Sequence, residues 1–90
     1  MKKHLNITIT GRVQGVGFRF FVKSLATKFN LSGFVKNQIN GSVYLEIEGD
    51  TPNIEEFLVK IKQGPRNAKV QDFKIEEVKI KNFASFEILR

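Results

Sequence analysis

Polar and apolar residues alternate at the start of the chain, and the apolar spacing then becomes helical. Leu5, Ile7 and Ile9 are separated by polar residues, which predicts a half-buried strand with one apolar face. Beyond a glycine-rich stretch at residues 11–17, apolar residues recur every three or four positions, at Phe18, Phe21, Val22, Leu25, Ala26 and Phe29. This second pattern predicts an amphipathic helix that ends near Asn30.

The middle of the chain predicts a hairpin followed by a second helix. Residues 34–37 have the pattern of a short strand and residues 42–48 that of its return strand, joined by an Asn-Gly turn. Asp50 or Thr51 is suited to cap the helix that follows. The stripe of that helix predicted to be buried consists of Ile54, Phe57, Leu58 and Ile61.

The last third of the chain predicts two further strands. Residues 70–81 form a long strand candidate whose apolar phase changes midway, and a bulge near Glu76 and Glu77 would reconcile its two halves. A short strand is expected at residues 85–89. The order βαββαβ with an added C-terminal strand predicts an α+β ferredoxin-like sandwich, in which two helices cover one face of an antiparallel sheet.

Length and composition predict one domain spanning residues 1–90. Of the 90 residues, 41% are hydrophobic, enough for a packed core, and the absence of cysteine excludes disulfides and thiolate chemistry. No apolar stretch is long enough for a signal peptide or a membrane span, so we expect a cytoplasmic protein that does not bind membranes. The core uses the apolar faces of the elements, which favours a monomer.

The net charge of +6 fits an anionic partner, but the lysines are scattered along the chain. A scattered distribution favours a role in solubility over nucleic-acid binding. Charge alone therefore does not identify the partner.

A predicted anion-binding loop lies between the first strand and the first helix. Its glycines let backbone N–H groups turn inward around a small anion, and the helix N-terminus adds further donors. Arg19, at the start of the helix, provides a planar fork of donors that matches two phosphate oxygens. The loop lacks the Lys-Ser or Lys-Thr pair of a nucleotide P-loop, and Phe20 stands where a dinucleotide loop has its third glycine. A small phosphate compound is the predicted ligand, while a simple tight turn is the alternative.

Other reactive groups are scarce. His4 is the only histidine and is expected to be solvated at the start of the first strand, and no metal site is expected. Phosphoryl transfer from a substrate with a good leaving group needs neither a strong base nor a covalent nucleophile nor a metal. The side-chain amide of Asn37 is able to hold a water molecule, although a turn role is the commoner use of asparagine.

Two motifs give the chain a resemblance to the acylphosphatase family. Residues 11–19 match its first signature, and residues 33–37 with Gly41, Val43 and Gly49 match its second. The resemblance implies hydrolysis of small acyl phosphates to a carboxylate and inorganic phosphate, with no metal or cofactor. It implies that Asn37 orients the attacking water. It also implies that the phosphoryl group is bound by Arg19 together with the backbone N–H groups of Gln14, Gly15, Val16, Gly17 and Phe18.

Several alternatives stay open at this point. The domain could sense a small anion without catalysis, or act within a larger carbamoyl-transfer system. An RNA-binding module of the same topology is less favoured, because Glu46 and Glu48 flank Tyr44 on the sheet face where such modules stack bases. A further hypothesis is that the C-terminal carboxylate braces Arg19. Asn40 stands where many family members carry aspartate, and it is expected to serve the hairpin turn equally well.

Overall fold

In the computed structural model, which describes residues 1–89, two helices pack on one face of a five-stranded sheet. The elements in chain order are β1 (Lys2–Arg12), α1 (Phe18–Lys28), β2 (Ser32–Asn37), β3 (Val43–Asp50), α2 (Thr51–Gln63), β4 (Lys69–Val78) and β5 (Phe86–Ile88). This architecture confirms the predicted ferredoxin-like sandwich. None of the helices in the described part of the chain is both long and apolar enough to cross a membrane.

The strands are ordered β4-β1-β3-β2-β5. β1 pairs antiparallel with β3 and β4, β2 pairs antiparallel with β3, and the short β5 pairs parallel with β2 at one edge. Alternation along β1 turns Leu5, Ile7 and Ile9 toward the helices, where they are buried. The core is completed by the buried stripes of the two helices, which are Phe18, Val22 and Ala26 in α1 and Ile54, Phe57 and Ile61 in α2.

The bulge predicted near Glu76 and Glu77 is wrong, because β1 and β4 pair in continuous register there. The register shift in this pair lies instead near the end of β1. Val78 pairs with His4, on the sheet face away from the helices, and β4 ends at this residue. The change of apolar phase therefore reflects the packing of Val78 on the sheet face away from the helices. It does not mark an inserted residue.

His4 is completely buried, so the expectation that it is solvated is wrong. Its Nε2 lies 2.8 Å from Glu46 Oε1, and its Nδ1 lies 3.0 Å from Glu48 Oε2. Burial alone would raise the pKa of Glu48, but hydrogen bonds from His4 and from three backbone N–H groups lower it to about 2. Each ring nitrogen of His4 thus lies within hydrogen-bond distance of a different buried carboxylate.

The cover over His4 is the crossing segment, residues 79–85, which joins β4 at one sheet edge to β5 at the other. Glu48 accepts backbone hydrogen bonds from Lys81 at 2.6 Å, Asn82 at 3.1 Å and Phe83 at 2.9 Å. Sequence alternation places His4 and Glu48 on the second face correctly, but it does not reveal that a distant segment covers them. The crossing segment therefore covers the end of this sheet face that carries His4 and Glu48.

Candidate active site

The loop between β1 and α1 is shaped by two glycines with positive φ. Gly15 has φ 74° and Gly17 has φ 78°, a region that side chains with a Cβ rarely adopt. A Cβ on either residue would meet no neighbouring atom within 4 Å, so the requirement is conformational and not one of space. The two glycines thereby turn the chain from the strand into the helix.

Within residues 1–89, the backbone N–H groups of the first turn of α1, next to this loop, have no hydrogen-bond partner. The first α-helical hydrogen bond runs from Phe21 N–H to Gly17 O at 3.0 Å, so the N–H groups of Phe18, Arg19 and Phe20 precede the first bonded turn. The positive end of the helix dipole lies at the same place. A helix start with free N–H groups and the positive end of the dipole is suited to bind a small anion.

Arg19 adds a full positive charge to this helix start. Its side chain is half-buried, and Nη1 donates to the carbonyl oxygen of Leu89 at 3.4 Å. Among residues 1–89, no carboxylate lies within ion-pair distance of the Arg19 guanidinium. The predicted contact between Arg19 and the C-terminal carboxylate lies outside the described residues.

Asn37 reaches the same place from the sheet. It is the last residue of β2 and shares a face with Val35, which is buried in the core beneath the helices. Its Oδ1 is buried and has no hydrogen-bond partner among the described residues. An unsatisfied buried acceptor costs about 1–3 kcal/mol, so this amide oxygen is ready to accept a hydrogen bond from a ligand or a water.

A cavity of about 150 Å³, which we call the phosphoryl cavity, brings these parts together. Its lining consists of Val13, Gly15, Gly17, Phe18, Arg19, Phe20 and Asn37. Gln14 and Val16, which were predicted to contribute backbone donors, are not among the lining residues. Val16 packs against the hydrophobic core. Within the described chain, Arg19 is the one ionisable residue of this lining.

The side chain of Gln14 has a role that sequence reasoning missed. Its Nε2 donates to the carbonyl oxygen of Gln38 at 2.7 Å and to that of Ser42 at 2.9 Å. These two bonds join the glycine loop to the β2–β3 turn, directly after Asn37. Gln14 therefore fixes the distance between the two walls of the phosphoryl cavity. Its place inside the first motif was the only signal that sequence offered.

The β2–β3 turn is itself tightly bonded. Gln38 N–H donates to Ser42 O at 2.9 Å, and Asn40 Oδ1 accepts from Ser42 N–H at 3.0 Å. This bond shows that Asn40 serves the turn, as expected. An aspartate carboxylate would accept the same bond. The rigid turn holds the end of β2, and with it Asn37, in place.

The described part of the chain has no set of side chains able to bind a metal ion. Within residues 1–89, no group of three or more His, Cys, Asp or Glu side chains is placed to hold a metal ion. Glu46 and Glu48 are neighbouring acidic residues, but they lie on the opposite sheet face. Their carboxylates are within hydrogen-bond distance of His4.

The sequence model of the acylphosphatase family matches residues 5–88. The chain belongs to the acylphosphatase family. An acylphosphatase from Bacillus licheniformis is 43% identical over 83 residues, which are 91% of this chain and 92% of that protein. An acylphosphatase from Archaeoglobus fulgidus is 38% identical over 84 residues, covering 93% of this chain and 94% of that protein.

Solved structures agree with this assignment. The crystal structure of acylphosphatase from Bacillus subtilis superposes with a TM-score of 0.95 at 36% identity and covers all of both chains. The family resemblance inferred from the two motifs is thus confirmed along almost the whole chain. At this level of identity and coverage the chain is an enzyme of the acylphosphatase class.

Proposed function

We propose that this acylphosphatase hydrolyses the carboxyl–phosphate bond of small acyl phosphates without a metal ion or cofactor, and releases a carboxylate and inorganic phosphate. The observation that carries the proposal is the phosphoryl cavity, where Arg19 and a helix N-terminus meet Asn37, whose Oδ1 has no hydrogen-bond partner among residues 1–89. It combines an anion-binding wall with a group able to hold water, as hydrolysis of a phosphate compound requires.

Binding of the phosphoryl group is assigned to Arg19 and to the backbone N–H groups of residues 14–18. Phosphoryl transfer passes through a loose transition state with charge spread over three equatorial oxygens. Fixed donors aimed at those oxygens stabilise the transition state without any covalent step. The positive φ of Gly15 and Gly17 and the unpaired first turn of α1 support this role.

Asn37 is assigned to the attacking water. Its Oδ1 accepts a hydrogen bond from the water and so aims the oxygen lone pair at phosphorus. The lining of the phosphoryl cavity, within the described residues, includes no Asp, Glu or His that would act as a base. A phosphate oxygen of the substrate therefore takes the proton of the water. The carboxylate is a stable leaving group and needs no general acid.

The test is hydrolysis of benzoyl phosphate by the purified protein in excess EDTA. We expect turnover that is unaffected by EDTA and is competitively inhibited by inorganic phosphate. Binding of inorganic phosphate without turnover would replace this proposal with the anion-sensing alternative. Turnover that EDTA abolishes and a divalent cation restores would contradict the metal-independent mechanism.

A further inference from the structure

The phosphoryl cavity accounts for one end of an acyl phosphate and leaves the acyl group unassigned. In an in-line displacement the attacking water and the leaving group lie on opposite sides of phosphorus. Since Asn37 on β2 holds the water under the proposed function, the acyl group lies away from Asn37. The rest of the lining comes from the loop and the start of α1, so the acyl contact belongs there.

Phe20 is the one large apolar side chain in that part of the lining that is open to solvent. It is 70% exposed, whereas Val13 and Phe18 are buried in the core. Phe20 follows Phe18 by two positions, which places it about 200° around the helix from Phe18 and on the side away from the buried stripe. Its ring is therefore free of any role in core packing and is available to a ligand.

The nearby charges do not favour a strongly polar acyl group. Lys36, one residue before Asn37, extends to the opposite sheet face, where its Nζ lies 5.9 Å from the centroid of the Tyr44 ring. Lys23 lies one helical turn beyond Phe20 and is exposed. An anionic acyl group would have to bind Lys23 in open solvent, where an ion pair contributes little.

We propose that Phe20 is a specificity-determining residue whose exposed ring contacts the acyl group of the substrate. The inference rests on the proposed function. It assigns aromatic and other apolar acyl phosphates as the preferred substrate class over acetyl phosphate. A ring on the rim of the cavity gains contact area with each added apolar carbon, since apolar burial scales with area.

The experiment compares benzoyl phosphate with acetyl phosphate in the wild type and in Phe20→Ala. We expect the ratio of the two kcat/KM values to fall roughly five- to tenfold, mainly through KM for benzoyl phosphate. Phe20→Leu keeps an apolar side chain and should restore part of the ratio. Because Phe20 is mostly exposed, the variants should fold as the wild type does, which circular dichroism checks.

Ile39→Ala is the matched control. Ile39 is also fully exposed and apolar, but it lies on the β2–β3 turn beside Asn37, on the water side of the site. Its loss should leave the ratio within twofold of the wild type. An unchanged ratio in Phe20→Ala, or an equal change in both variants, would overturn the inference. If the proposed function itself fails, the wild type hydrolyses neither substrate.

Discussion

At the scale of single residues, the proposed chemistry depends on two side chains that reach the cavity from different elements. Arg19 supplies charge from the start of α1, and Asn37 supplies a neutral acceptor from the end of β2. The two proposed roles should affect different kinetic constants. A residue that binds the phosphoryl group affects both ground state and transition state, whereas a residue that aims water affects mainly the chemical step.

Asn37→Ala should therefore lower kcat far more than it raises KM. Truncation removes the acceptor for the water but leaves Arg19 and the loop donors in place, so we expect kcat to fall by a factor on the order of 100 or more. Steady-state kinetics with benzoyl phosphate measures both constants. Ile39→Ala, in the same turn and fully exposed but outside the cavity lining, is the comparison variant and should keep kcat near the wild-type value. A rise confined to KM would reassign Asn37 to substrate binding.

At the scale of elements, two polar connections hold parts of the chain that are distant in sequence. Gln14 joins the glycine loop to the β2–β3 turn by two hydrogen bonds to backbone carbonyls. On the other sheet face, Glu48 joins β3 to the crossing segment by three hydrogen bonds from backbone N–H groups. The first connection shapes the site, and the second fixes the path that leads the chain to β5.

The Glu48 connection predicts a specific loss of stability in acid. The pKa of Glu48 is about 2 in the folded chain and near 4.5 for an unperturbed glutamate, so its contribution is present above pH 4.5 and is lost as the pH falls toward 2. A shift of this size corresponds to about 3 kcal/mol, because one pKa unit is about 1.4 kcal/mol. Urea unfolding of the wild type and of Glu48→Gln at several pH values measures this contribution.

The difference in unfolding free energy between wild type and Glu48→Gln should be largest near pH 6 and should shrink on acidification to pH 2. Glu55→Gln, on the exposed face of α2, is the matched control and should differ little from the wild type throughout. A Glu48→Gln difference that does not depend on pH would show that Glu48 is not an ionised acceptor in the folded chain.

At the scale of the whole molecule, local sequence patterns predicted the helices and strands. Contacts between distant residues determined which polar side chains are buried and which ones join separate elements. The alternation of Leu5, Ile7 and Ile9 located β1, and the glycines before Arg19 located the turn between β1 and α1. Such features depend on residues that are neighbours in sequence, so they can be recognised from a single sequence. The family motifs implied a water-orienting role for Asn37. Spacing alone had left this residue undecided between a turn role and a water-binding role.

What sequence did not predict involves partners tens of residues apart. The burial of His4 depends on the crossing segment, and the side-chain role of Gln14 depends on the β2–β3 turn. Phe20, which in the sequence served only to exclude a dinucleotide-binding loop, becomes notable because the structure leaves it exposed at the cavity. Each of these features depends on how the elements pack together in three dimensions, and a periodic pattern in the sequence does not show it.

The most direct test of the central claim, that the cavity at the start of α1 is the catalytic site, is the kinetics of Arg19→Ala beside Arg66→Ala. Arg66 is exposed in the loop after α2, so it controls for the loss of one positive charge. We predict that Arg19→Ala lowers kcat/KM for benzoyl phosphate by a factor on the order of 1,000 and weakens inhibition by inorganic phosphate, while Arg66→Ala matches the wild type. Phosphate inhibition and turnover that persist undiminished in Arg19→Ala would contradict the account.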